Sequence, residues 1–147
     1  MNMFKKLTGL GMAVMMMAAT AMTSMASYEN PQYTQDKYFY TDAAATTASY
    51  MGHGCIRGYD VETDGTVKIY LQSEEYARGG VTYTGYITAL TVAGQSESGL
   101  YDGSTFEVAV NNKVNAVTFN IMMENEDGDQ TPHPAISGYL KLDALSD

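Results

Sequence analysis

The chain contains no tryptophan, a single cysteine and few cations: eight Lys and Arg stand against 17 Asp and Glu in 147 residues. A lone thiol, Cys55, rules out an internal disulfide. It is left to act as a small buried hydrophobe or, more sharply, as a redox-active or intermolecular thiol. The acidic balance gives no electrostatic route to nucleic acid or to an anionic membrane. Catalytic signatures are missing too. There is no Gly-x-Ser-x-Gly, no phosphate loop and no His-Glu-x-x-His, and only two histidines, His53 and His133, are available as a base. These absences favour a binding module over an enzyme.

What is present begins with residues 1–26. Two cations, Lys5 and Lys6, precede an apolar run from Leu7 to Met22, and small residues Ser24 and Ala26 follow at the positions a signal peptidase reads. This three-part layout predicts a signal peptide cut between Ala26 and Ser27, and hence a secreted, extracellular protein. A retained membrane helix fits less well, because Gly, Ala and Thr dilute the run and no cationic stop follows. With no Cys at the cleavage site and no hydrophobic tail before Asp147, release is expected rather than anchoring or membrane insertion. Cleavage would remove eight of the eleven methionines and leave six basic residues against 17 acidic ones, a formal charge of −11 over 121 residues. All twelve tyrosines would stay.

Residues 27–47 hold Pro31, two glutamines and an Ala/Thr run, and read as a mobile leader with a short first strand near Lys37-Tyr-Phe-Tyr40. Residues 48–147 read as one β domain, large enough for a single core. Val67, Ile69 and Leu71 alternate with polar neighbours, as do Phe106, Val108 and Val110. Val117, Phe119, Ile121 and Met123 do the same, and Ile136, Leu140 and Leu142 share a parity. Period two with one apolar face marks strands packed on one side. Turn chemistry falls between the runs at Thr63-Asp-Gly65, Arg78-Gly-Gly80, Tyr101-Asp-Gly103, Asn111-Asn112 and Glu126-Asp-Gly-Asp129. About seven or eight strands at this spacing predict an all-β, antiparallel immunoglobulin-like sandwich.

Chemistry is sparse on this frame. Asn125 to Asp129 gathers carboxylates in one loop but lacks the spacing of a calcium loop, so a solvated hairpin tip is the simpler reading. His53 and Cys55 share one strand parity, yet two ligands are too few for zinc. More informative is Met122, which falls on the polar parity beside Asn120 and Thr118. Counting back from Tyr139 and Ser137 brings His133 to that outward parity as well. Singly, Met122 covers a loop and His133 is a turn residue before Pro134. Together, a thioether, an imidazole and a phenol on one outer surface predict a ligand platform.

The chain resembles a NEAT-type haem-binding domain, the immunoglobulin-like module of bacterial surface and secreted haem-uptake proteins. The similarity runs in order through Ala48-Ser-Tyr-Met-Gly-His53, Asp64 to Tyr70, Tyr83 to Val92, Phe106 to Val110, Val117 to Ile121 and His133 to Leu142. The resemblance implies haem as cofactor, iron acquisition as role and another haem-carrying protein as partner. It places a short helical segment, around Tyr50 and Met51, over the haem. Where the family has Tyr-x-x-x-Tyr in its last strand, this chain reads His133-Pro-Ala-Ile-Ser137. His133 falls within a residue of the first tyrosine and becomes the leading iron ligand, since haem iron accepts imidazole. Met51 or Met122 are thioether alternatives, and Tyr139 completes the expected site. The competing expectation is a secreted protein- or glycan-interaction sandwich that binds no haem.

Overall fold

The computed structural model describes residues 30–146; the expected signal segment and its cleavage site at Ala26 and Ser27 lie outside the described residues. The described chain is all-β, and its only helical turn is a 3-10 turn at His53–Cys55. Ten strands run in the order β1 (Phe39–Tyr40), β2 (Ile56–Val61), β3 (Thr66–Leu71), β4 (Glu74–Arg78), β5 (Val81–Val92), β6 (Gln95–Ser98), β7 (Thr105–Ala109), β8 (Val114–Glu124), β9 (Gln130–Pro132) and β10 (Ile136–Lys141). The larger sheet is ordered β1-β10-β8-β5-β4, with β6 also on β5 and β9 also on β8; β2-β3-β7 form the smaller one. Every pairing is antiparallel.

The turns explain the register. Arg78 pairs with Val81 across Gly79 and Gly80, whose φ values of 59° and 79° suit a two-residue turn with both centres left-handed. The β5–β6 turn has the same form, with Ala93 at φ 50° and Gly94 at 82°. Alanine hides that turn in the sequence, because it carries no turn signal of its own. Unforeseen short strands, β4, β6 and β9 among them, raise the count from the expected seven or eight to ten.

Alternation along the long strands supplies the core. Val67, Ile69, Phe106, Val108, Val117, Phe119, Ile121, Leu140 and Leu142 are all buried, so the two sheets close on the apolar faces read from the sequence. Near the centre Phe39 stacks on Phe119 with ring centroids 4.3 Å apart. Gly52 abuts both rings at a φ of 99°, so an added methyl group would meet them at 2.9 Å.

The segment expected to be a mobile leader is docked over much of its described length. Tyr33 exchanges both backbone hydrogen bonds with Tyr59, and Tyr38 and Phe39 are 1% exposed. The Gln35 side chain uses its full bonding capacity: Nε2 donates to the carbonyls of Lys37 and Lys141, and Oε1 accepts from the Tyr59 hydroxyl and the Asp143 amide.

Two stability measurements test this architecture. In urea titrations Phe119→Ala should lose about 3–5 kcal/mol, the usual range for a deleted buried aromatic, while Thr118→Ala on the opposite face loses far less. Gln35→Leu should cost about 1–3 kcal/mol, because two of its four bonds, to the Lys141 carbonyl and the Tyr59 hydroxyl, are partly buried and are worth roughly 1 kcal/mol or more each.

Candidate functional site

Two hairpins rise side by side at one end of the larger sheet. The β4–β5 hairpin contributes Arg78 and Tyr83, and the β8–β9 hairpin contributes Met123, Thr131 and Pro132. With His133 and Pro134 they line a groove of about 190 Å³. Register places Gly85 opposite Met123 and Tyr76 opposite Tyr83, so these side chains continue the inner face beyond the filled core. Gly85 is required there: a methyl group would sit 2.6 Å from the Tyr76 ring and 3.2 Å from the Met123 sulfur.

His133 is fixed at the groove by two contacts. Its backbone amide donates to the Ile121 carbonyl at 2.9 Å, extending the β8–β9 ladder by one residue. Its Nδ1 lies 2.8 Å from the Pro134 carbonyl. A carbonyl only accepts, so Nδ1 carries a proton, and the neutral ring in this tautomer has its lone pair on Nε2. An imidazole held in this way is set up to ligate a metal through Nε2.

The five residues expected to converge are separated. His133 does not share a face with Met122 and Tyr139. Pro132 pairs with Met122 and Ile136 with Phe119, so four steps along this stretch face three on β8. That extra residue, at His133-Pro134-Ala135, is a bulge, and it inverts side-chain parity between β9 and β10. His133 therefore joins Met123 on the inner face. Met122 lies on the outer face between Tyr86 and Pro132. Tyr139 is also outward but pairs with Ala116, about 20 Å from Met122 at the usual strand rise. Met51 is 4% exposed within the core cluster and cannot reach a surface ligand as folded. Tyr50 is 83% exposed and does not line the groove. The expected helical segment at Tyr50-Met51 is instead the turn at His53–Cys55.

That turn is structural. The His53 Nδ1 accepts from the amides of Tyr38 and Phe39 at 3.0 and 3.2 Å, and Nε2 donates to the Ser49 carbonyl at 2.8 Å. Neither nitrogen is left for a metal. Cys55 is fully buried, and burial pushes its thiol up to about 12, so it stays protonated near neutrality. Tyr76 braces the turn by accepting from the Gly52 amide, and burial raises its phenol well above the ordinary range. In the acidic hairpin the Asn125 side chain accepts from the amides of Asp127 and Asp129, forming a local turn. Among the described residues no three His, Cys, Asp or Glu side chains converge as a metal site.

Sequence reasoning missed Arg78, Tyr83 and Met123 as groove residues. The Arg78-Gly-Gly80 turn signal was the available clue, since a tight hairpin holds Arg78 and Tyr83 close together. A flat macrocycle fits this site in part. The groove offers an imidazole, apolar walls and one cation, yet its volume lies below the roughly 300–1,000 Å³ of pockets that enclose a drug-sized ligand. Only an edge of a haem fits inside. Comparison with family models, curated proteins and solved structures returns no match to this chain, so nothing there identifies a NEAT domain.

The His53 arrangement has a pH consequence. Burial lowers its pKa from the ordinary value, outweighing the bond to Ser49. The unfolded chain therefore binds the proton more readily than the folded one. Its stabilising contribution is complete above about pH 6.5 and is lost as pH falls from there through the folded value. Urea midpoints measured across this window should fall for the wild type. In His53→Gln, which cannot titrate, that part of the slope should vanish.

Proposed function

We propose that this chain is a non-enzymatic haem-binding module of the immunoglobulin-like sandwich class, exported by residues 1–26, that captures or relays haem. The observation that carries the reading is the Nδ1–H bond from His133 to Pro134, which leaves Nε2 available at the rim of an apolar groove. Imidazole is a good axial ligand for haem iron. The haem position differs from the one the sequence predicts: it lies on the inner face between two hairpins, with Met122, Tyr139, Met51 and Tyr50 outside it.

Arg78 gives the groove a polarity. In a chain with 17 acidic residues, a carboxylate-bearing ligand meets repulsion over most of the surface, and Arg78 supplies a local cation at the groove. Haem propionates suit that end, and the porphyrin edge suits Met123, Tyr83 and the two prolines. Incomplete enclosure leaves much of the macrocycle exposed. That favours exchange with a second haem-carrying protein over permanent storage.

Absorbance titration with haemin tests the reading. The wild type should develop a Soret band, and His133→Ala should shift it or weaken binding by about tenfold or more, equivalent to at least ~1.4 kcal/mol. Arg78→Ala should weaken haemin binding while leaving the dimethyl ester, which lacks propionate charge, little changed. Identical spectra from wild type, His133→Ala, Met122→Ala and Met51→Ala would remove this site.

A further inference from the structure

The face of the larger sheet turned away from the core has an unusual composition for so acidic a chain. Register places Ser137 beside Thr118, Thr118 beside Thr91, and Thr91 beside Ser96, so four neighbouring strands present a hydroxyl in one row. The hydroxyls at each end of the row are in contact, Ser137 with Thr118 at 3.2 Å and Thr91 with Ser96 at 2.7 Å. Tyr139 lies one row to one side, and Tyr86 lies two rows to the other, beyond Asn120. From Tyr139 to Tyr86 no outward position on β10, β8, β5 or β6 carries a charge, and the first charged groups on this face are Lys141 at one end and, in one row at the other, Glu124 and Glu75.

We propose that this outer face, centred on the row Ser137, Thr118, Thr91 and Ser96 between Tyr139 and Tyr86, is a docking surface for a neutral polysaccharide. Charge selects the class of partner. An uncharged strip on a strongly acidic protein offers nothing to a polycation and excludes a polyanion through its surroundings. Protein partners fit less well, because the centres of their interfaces are rich in aromatic, Met and Arg side chains and poor in Ser, whereas here Tyr139, Tyr86 and Met122 stand at the margins and the centre is hydroxyl and amide. A sugar chain has the matching chemistry. Its hydroxyls exchange hydrogen bonds with Ser and Thr, each of which both donates and accepts. Its C–H faces lie against tyrosine rings, which combine an apolar body with a polar tip. Ala116 to Met122 on β8 spans about 20 Å along the strand, room for several sugar units in line. Short Ser and Thr side chains also lose little rotamer freedom when a ligand settles on them.

This surface lies on the opposite side of β8 from the His133 groove, so the two proposals stand or fall separately. The test is affinity electrophoresis of the full chain, without haemin, in gels containing amylose, xylan or a mixed-linkage glucan, and cosedimentation with cellulose and chitin. Polygalacturonate serves as the anionic control. At least one neutral polymer should retain the protein and polygalacturonate should not. Thr118→Lys and Ala116→Lys each place a cation in the strip and should weaken retention about tenfold or more. Glu107→Gln, on the smaller sheet, should behave as wild type. Thermal melts establish that each variant is folded, and Ala116→Lys, at an exposed position, decides the matter if Thr118→Lys is not. No retention by any neutral polymer overturns the proposal. So does equal retention by polygalacturonate, or wild-type retention in a folded strip variant.

Discussion

The amide of Gln35 holds the described domain closed. Its four hydrogen bonds reach its own strap at Lys37, the end of β10 at Lys141, the following turn at Asp143, and Tyr59 on the other sheet. Both sheets and both ends of the described chain meet at one side chain. Because every donor and acceptor is matched, removing the group leaves two partly buried partners, the Lys141 carbonyl and the Tyr59 hydroxyl, short of a bond at once, which costs more than one ordinary hydrogen bond. Tyr38 and Phe39, three and four residues on, are carried into the core, where Phe39 stacks on Phe119. The strap is thereby part of the core rather than an appendage.

His53 completes the same task from the other end of the strap. It accepts from the two amides that lead Tyr38 and Phe39 inward and donates to Ser49, so the chain from 38 to 53 is pinned at both ends. An imidazole suits this post only in its neutral form. Protonation would turn the acceptor nitrogen into a donor facing two amide N–H groups. Lys37 nearby further disfavours the charged ring, and Glu74 works in the opposite direction. The two clips differ in kind: the Gln35 amide has no proton to gain or lose near neutrality, whereas His53 holds only while neutral.

The core was legible because period two survives translation into structure. Phe106, Val108, Val117, Phe119, Ile121, Leu140 and Leu142 sit where alternation put them. Parity failed where a bulge intervenes. Nothing in His133-Pro-Ala135 announces that four residues will face three, and that single extra residue moved His133 to the opposite face from Met122 and Tyr139. Tyr70 is a milder case. It has outward parity yet is 3% exposed, because Asp60 takes its hydroxyl and Arg57 and Lys68 lie over its ring. Gln35 and His53 were out of reach for another reason. Their partners are mostly backbone groups, up to 106 residues away for Gln35, and backbone partners leave no trace in residue type. The sequence signals that did carry over were local ones, the Gly-Gly turn above all.

Both proposed surfaces draw on β8, and its alternation keeps them apart. Phe119, Ile121 and Met123 point inward, two filling the core and the third lining the groove. Thr118, Asn120 and Met122 point outward on the uncharged face. A one-residue slip of β8 against β5 would exchange the two sets, putting hydroxyls into the core and aromatic rings into water. The buried Phe119, stacked on a strap that Gln35 and His53 hold in place, makes that exchange prohibitive. The same contact that closes the fold therefore fixes which side of the sheet each proposed ligand would meet.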